Sequence, residues 1–331
     1  MSIPEFLIAC VASDRTRPLA TGEVAVEGAR LRFAFGEPEA IFREALNSAP
    51  YEICELSMAS HIVTTARGDS RYIAVPVFLS RAFRHSAIFI RADAGIASLS
   101  DLAGARIGVP EYQQTAGMWV RGMMLEAGVR ASDVTWHVGG LNASGPGERI
   151  GAGPDDIRVH KLGQDETLNG MLLDGRLEAI VSPRVPQALL DGHPRVRRLY
   201  PDVRAAEVAY FRATGFFPIM HALALRRDVA EANPWLPEAL FRAFSTAKQG
   251  RIAELGLTNV LRVSLPWIAH DFADAMEITG GDPWPYGLVR NRAELEAMTT
   301  YMQADGTAVR KVAPEELFHP STHVLTEEAL R

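Results

Sequence analysis

Apolar residues along this chain fall in short runs separated by stretches where they recur every three or four positions, the pattern of strands alternating with helices. Phe6 to Ala12 is a short apolar run ended by polar residues, and Arg30 to Phe35 alternates apolar with charged, so both predict strands. A helix is predicted next, with Pro38 in its first turn and Ile41, Phe42, Ala45 and Leu46 at helical spacing. Tyr51 to Leu56 predicts another strand, and Ser57 to His61 a turn that opens a second helix. Two further apolar runs follow, Ile73 to Leu79 and Ala87 to Ile90. Ser98 to Gly104 predicts a one-turn helix and glycine turn feeding a strand at Arg106 to Val109. Glu111 to Thr115 then leads into a helix carrying Met118, Trp119, Met123 and Leu125, where Trp119 is read as packing because aromatics at helical spacing are usually core.

The rhythm then loosens. Gly139 to Asp156 is rich in Gly, Pro, Asn and Ser without the spacing of a phosphate loop, and reads as one long loop, either a lid or a surface excursion. Thr167 to Leu173 predicts a helix, and Leu177 to Val181 a strand ending at Ser182, Pro183 and Arg184. Phe216 to Arg226 reads as an extended run able to return the chain to its first lobe, which makes the fold discontinuous. The remainder is mainly helical, with amphipathic segments at Pro234 to Lys248 and Arg292 to Met302. Between them Gly280 to Gly287 is too Pro- and Gly-rich for helix or strand, and its aromatics, Trp284 and Tyr286, are expected to contact something.

A chain of 331 residues exceeds one comfortable core and predicts two lobes. Its 47% hydrophobic and 22% charged residues fit an ordinary globular protein. The net charge of -6 and the lack of a basic run argue against nucleic acid or an anionic membrane as main partner, so any cationic site is local. The N-terminus carries no basic leader, long apolar segment or small-residue cleavage site, no run approaches transmembrane length, and a cytoplasmic protein is expected. Cys10 and Cys54 lie in apolar strand-like runs and read as buried free thiols.

Candidate chemistry concentrates between the apolar runs at 73–79 and 87–90, where Arg81, Arg84 and His85 stand together. A buried cation without a partner costs several kcal/mol or more, so such a block implies either interlobe salt bridges or an anion, with a small organic acid the natural guest. The loop before the predicted helix at Thr115 is a second anion candidate, because helix N-termini present unpaired N–H groups and a favourable dipole. His221 is read as a histidine satisfied within the return strand, with a second acid or base as its functional alternative. The nine histidines form no tight ligand pattern, His319 and His323 being split by Pro320, so metal-free acid chemistry is expected.

The chain resembles the 4,5-dihydroxyphthalate decarboxylases, relatives of the type II periplasmic binding proteins. The blocks that carry the resemblance include Ser13 to Pro18, Glu55 to Ser57, Phe78 to Ser86, Asp101 to Gly104, Gly108 to Ala116, Ser182-Pro183, Phe217 to His221, Asn233 to Trp235, Trp284 to Gly287 and Leu317-Phe318. Leu79 departs from the family's usual proline, and Gly117 and Met118 from its usual helix residues. The resemblance implies an α/β, two-lobed type II periplasmic-binding-protein-like fold with a ligand cleft between the lobes. Lobe 1 is expected to comprise 1–91 and 216–331, and lobe 2 to comprise 92–215. It implies loss of carbon dioxide from a hydroxylated aromatic dicarboxylate without a cofactor, with a small aromatic carboxylate as partner and self-association left open. In that reading His85 donates the proton, Arg81 and Arg84 grip the retained carboxylate, and Arg15 adds charge. Glu111, Tyr112 and Thr115 orient the hydroxyls, Ser57, Ser80 and Ser182 supply hydrogen bonds at strand ends, and Trp284 and Tyr286 wall the ring. The alternative is a non-catalytic solute-binding protein for a small aromatic or aliphatic carboxylate.

Overall fold

The computed structural model describes residues 3–145 and 157–330, so the far part of the expected loop at 139–156 lies outside the described residues. The described residues form eleven strands, in chain order β1 (Glu5–Cys10), β2 (Arg30–Phe35), β3 (Ile53–Ser57), β4 (Tyr72–Arg81), β5 (Ile88–Arg91), β6 (Arg106–Val109), β7 (Thr135–Val138), β8 (Val159–Lys161), β9 (Ala179–Val181), β10 (Val196–Arg198) and β11 (Ile219–Arg226). They form two sheets, ordered β2-β1-β3-β11-β4 and β10-β5-β9-β6-β7-β8. In the first sheet β2, β1 and β3 run parallel while β11 is antiparallel to β3 and β4. In the second, β6 is parallel to β7 and β9, and β5 is antiparallel to β9 and β10.

The local causes match the pattern in the sequence. β3, whose every residue is buried, sits between β1 and β11, as expected of a strand covered on both faces. β2, at the sheet edge, keeps alternating exposure. Ser57 ends β3 and at once caps the helix Met58–Arg67, its hydroxyl accepting the Ser60 N–H, while Gly68 closes that helix in the left-handed conformation. Helices 203–214 and 268–279 have no buried side chains, so the core periodicity that marks other helices is weak in both.

The expected boundary after residue 91 needs a correction. β5 pairs with β9 and β10 and belongs wholly to the second sheet, so the chain crosses between sheets at 82–87. The return comes with β11, which re-enters the first sheet between β3 and β4. The helix Thr115–Glu126 serves both lobes: Val120, Met123 and Met124 pack in the second core, while Met118 and Trp119 pack in the first. Trp119 is fully buried and its indole N–H donates to the Ile219 carbonyl at 2.9 Å, the packing role expected of it. Gly122 on this helix faces Tyr301, whose ring would collide with any Cβ there.

One irregularity positions the site. Between the pairs Leu223↔Val75 and His221↔Ser80, β4 has Pro76 to Leu79 where β11 has only Ala222, so β4 bulges away from its neighbour. Freed carbonyls there find other donors: Pro76 accepts from the Gly287 N–H at 2.8 Å, Phe78 from the Trp284 indole at 2.7 Å, and Leu79 from Arg15 Nη2 at 3.1 Å. Among the described residues no helix is long and apolar enough to cross a membrane.

Candidate active site

Open α/β sheets bind ligands beyond the carboxyl ends of their parallel strands. Here those ends from the two sheets face each other across a cleft. Its narrow end, about 140 Å³, is lined by Ser57 after β3, Arg84 after β4, Gln114 and Thr115 after β6, and Met220 and His221 on β11. A wider part of about 400 Å³ adjoins it, lined by Glu111, the loop after β7, and Ser182 to Arg184 after β9. Glu39, Gln114 and Pro183 border both parts. An ion pair between Arg184 and Glu39, 2.7 Å long, spans the lobes at this border.

His221 reaches the cleft because β11 enters the sheet antiparallel, which sets the residue opposite the ends of both neighbours. Ser57 and Ser80 are its cross-strand partners. Behind it, Glu55 on β3 is almost fully buried and receives the His221 Nδ1 at 2.7 Å, while its other oxygen accepts the Val11 N–H at 2.9 Å. Burial pushes the Glu55 carboxyl up, but the hydrogen bond and charge of His221, the Val11 N–H and the Arg15 charge together outweigh it and hold Glu55 below the ordinary carboxylate value. Glu55 is thus an acceptor-only carboxylate, which fixes a proton on Nδ1 of His221 and turns Nε2 toward the cleft.

Arg84 is half-buried, with Nε at 3.1 Å from Met220 Sδ, and it forms no ion pair among the described residues. Burial lowers its pKa to about 10, partly opposed by the charge of Glu207. A desolvated guanidinium that faces a cavity without an ion pair has the charge and the donors to receive an anion. Opposite it stands the N-terminus of the helix Thr115–Glu126, whose first residues Thr115 and Ala116 line the cavity. The Thr115 hydroxyl bonds Ser57 Oγ at 2.9 Å and accepts the Ala59 N–H at 3.2 Å, tying the two lobes at the cleft floor.

Arg81, Arg84 and His85 do not converge. The Arg81 side chain is fully buried and pairs with Glu294 at 3.1 Å, donates to the Phe217 and Pro285 carbonyls at 2.6 and 2.8 Å, and bonds Asn291. It is an internal strut, as β-strand alternation and the bulge turn it to the far side of the sheet. His85 packs edge-on between the rings of Tyr200 and Tyr210, each centroid 5.1 Å away, under the helix Val203–Thr214. Its burial lowers the pKa to about 4 and its Nδ1 has no partner, so it stays neutral near neutrality and does not border the cleft.

Other expectations divide. Ser57 and Thr115 border the narrow end, Glu111 and Ser182 the wider part, the Ser182 hydroxyl there accepting the Arg184 N–H at 3.1 Å. Ser80 is half-buried beside His221. Arg15 instead braces the bulge of β4, pairs with Asp14 at 2.6 Å, and lies 4.1 Å above the Trp284 ring. Trp284 holds the same bulge and stacks edge-on to Phe217, and Tyr286 is buried beneath Lys248, 4.6 Å from its ring; neither walls the cleft. Tyr112 is buried in the second core against Trp136 and the Arg121 guanidinium. Among the described residues no cluster of His, Cys, Asp and Glu is arranged to hold a metal ion.

The reading of the sequence missed Glu55, Glu39 and Arg184 as site residues. Glu55 had a signal: a carboxylate inside the strand ICELS, whose neighbours are all buried, requires a partner. Arg184 had one, its place just past the carboxyl end of the strand that closes at Val181, whereas Glu39 had none, since it lies on ordinary polar surface until the lobes face each other.

Comparison with known proteins adds to this geometry. Residues 77–146 match the family described as NMT1/THI5 like. A protein of Comamonas testosteroni named 4,5-dihydroxyphthalate decarboxylase is 42% identical over 97% of this chain and 98% of its own length. Another of that name from Pseudomonas putida is 50% identical over 61% of this chain and 79% of its own. Among solved structures, the periplasmic aliphatic sulphonate binding protein SsuA of Escherichia coli superposes with a TM-score of 0.55, at 14% identity, covering 98% of this chain and 100% of that one. The alkanesulfonate-binding protein SsuA of Xanthomonas axonopodis pv. citri gives 0.52 at 13% identity, covering 95% and 97%. These likenesses establish the two-lobed α/β fold of periplasmic solute-binding proteins.

Proposed function

This chain belongs to the 4,5-dihydroxyphthalate decarboxylase family, and from that premise we propose that it releases carbon dioxide from a hydroxylated aromatic dicarboxylate, turning 4,5-dihydroxyphthalate into protocatechuate. The observation that supports this most directly is the facing of Arg84, a desolvated cation without a carboxylate, and the His221–Glu55 pair across one small cleft. A binder needs only the first of these; an acid held by a buried carboxylate beside it is what a proton transfer to carbon needs.

Arg84 and the N-terminus of the helix at Thr115 provide two positive poles, which suits a ring bearing two carboxylates. The retained carboxylate pairs with Arg84. The imidazolium of His221 gives its Nε2 proton to the ring carbon bearing the other carboxylate, and a hydroxyl para to that carbon, keeping its own proton, takes up the positive charge, so the ring rests as a transient protonated ketone. The bond to the carboxylate then breaks, its electron pair restores the aromatic ring, carbon dioxide leaves, and His221 takes a new proton from water. Glu55 stays ionised throughout, orienting the imidazole and stabilising its charge. The groups that border the wider part, Glu111 and Ser182, accept and donate hydrogen bonds to the ring hydroxyls.

The two free, buried thiols suit a reducing compartment, and we place the reaction in the cytoplasm. The test is incubation of the purified protein with 4,5-dihydroxyphthalate, following carbon dioxide and protocatechuate. Stoichiometric release of both supports the proposal. Tight binding of the dicarboxylate without turnover would replace it with the solute-binding reading.

A further inference from the structure

At the rim of the cleft two arginines flank one carboxylate. Glu39 and Arg43 lie one turn apart on the helix Pro38–Asn47, so they share a face, and both line the wider part of the cleft. Arg184 comes from the other lobe, just past the end of β9, its backbone N–H donating to the buried Ser182 hydroxyl at 3.1 Å. It pairs with Glu39 at 2.7 Å, while Arg43 forms no ion pair among the described residues. The Arg184 side chain is 70% exposed and that of Glu39 32%, and an ion pair so wet holds weakly and exchanges readily. Glu39 also borders the narrow end, where Arg84 stands, so the Arg184 guanidinium bonded to it sits where the two parts of the cleft meet.

We propose that Arg184 reads the second carboxylate of a dicarboxylate ligand by exchanging ion pairs. As the ligand enters, Arg84 takes one carboxylate. Arg184 leaves Glu39 for the other, which the helix N-terminus at Thr115 meets from the opposite side, and Glu39 turns to Arg43. Every charge at the rim then has a partner, Arg43 included. A ligand with one carboxylate satisfies Arg84 and leaves the pair between Arg184 and Glu39 as it was, so it gains nothing from the rim. Arg184 therefore selects dianions over monoanions.

This selection rests on the decarboxylase reading for its use. There the substrate carries two carboxylates and the product one, so departure of carbon dioxide removes the partner of Arg184. The guanidinium returns to Glu39, and the product is left with the weaker hold of a monoanion.

The experiment is isothermal titration calorimetry of the full chain with phthalate, a dicarboxylate without the ring hydroxyl that the reaction needs, and with benzoate, which has one carboxylate. Circular dichroism and thermal melting control for folding. Wild type is expected to bind phthalate about tenfold or more tighter than benzoate, and R184M to lose about tenfold for phthalate and less than about twofold for benzoate. E39Q removes the competitor for Arg184, so it is expected to tighten phthalate binding about threefold, and to gain less than that in the R184M background. A clamp that merely joins the lobes would be weakened alike by both changes. The proposal is overturned by a wild type that does not prefer phthalate, by an R184M protein that keeps the preference, or by an E39Q gain that is absent or equally large without Arg184. The decarboxylase reading stands apart from these outcomes: turnover of 4,5-dihydroxyphthalate can fail with the preference intact, and the preference can fail with turnover intact.

Discussion

Arg81 and Arg84 leave the same strand end and meet opposite fates. Arg81 is enclosed by a carboxylate, an amide and two carbonyls behind the sheet. Arg84, facing the cleft, has a thioether beside it and no carboxylate. For Glu294 and Arg81 burial works against both charges and their mutual attraction offsets part of it, so that region serves to hold strands 4 and 11 to the helix Arg292–Ala304. At Arg84 the same desolvation is opposed only by the charge of Glu207, without an ion pair among the described residues, and an anionic ligand is what would relieve the imbalance. The two histidines repeat the contrast. His85 is sealed among tyrosines without a carboxylate, whereas His221 has Glu55 behind it and the cavity before it. Position in the sequence does not separate structural from chemical residues here; the partners do.

The contrast is broken most sharply at the histidines. H221N is expected to lower the rate of carbon dioxide release by ~10²–10⁴-fold, the span of a lost general acid, with melting temperature little changed. H85N should turn over at close to the wild-type rate; if the two variants exchanged these outcomes, the acid would be His85 after all. Next come the arginines. R81M leaves Glu294 buried and unpaired and is expected to cost ~3–5 kcal/mol in urea unfolding. R84M should unfold no more easily than wild type, yet lose saturable binding of phthalate by calorimetry. Equal destabilisation by both would mean that Arg84 is also a strut.

E55Q tests the link between the two halves of the dyad. It keeps the shape but removes the charge that stabilises the imidazolium, so the alkaline limb of the rate profile, where the donor has lost its proton, is expected to move to lower pH, while E55D restores part of the loss. A uniform drop without a shift in the profile would mark Glu55 as packing alone.

The smallest effect is on stability against pH. His85 is held near 4 by burial, against an ordinary value of 6.5, and His61, buried against the Leu317 carbonyl, is lowered to about 4 for the same reason. The unfolded chain takes up protons at these sites below about 6.5, which the folded chain accepts only near 4. Stability they protect is therefore complete above 6.5 and falls as the pH drops toward 4, by up to about 1.4 kcal/mol per pH unit for each group. H85F should flatten that decline in urea midpoints measured from pH 7 to pH 4.5; an unchanged slope would show that His85 is not held neutral by its tyrosines.

Much of the architecture was legible because it is local. Apolar runs marked the strands at Arg30 to Phe35 and Arg106 to Val109, Pro38 and Ser57 marked helix starts, and the run at Phe216 to Arg226 marked the return to the first sheet. The cationic block likewise announced charges in need of a partner, whether an internal carboxylate or a bound anion. Which of its members is cancelled inside and which faces the cleft was not legible, because facing depends on pairing between distant segments. The bulge at Pro76 to Leu79 and the placement of β11 between β3 and β4 turn Arg81 inward and bring His221 opposite Ser57. Glu55 and His221 lie 166 positions apart, too far for any spacing rule to join them. The sequence, then, determined the elements, their alternation and the presence of unbalanced charge, since these follow from propensity and composition. The tertiary structure alone decided which charges are cancelled inside and which are left facing the cleft, since desolvation and partnership are properties of neighbours in space.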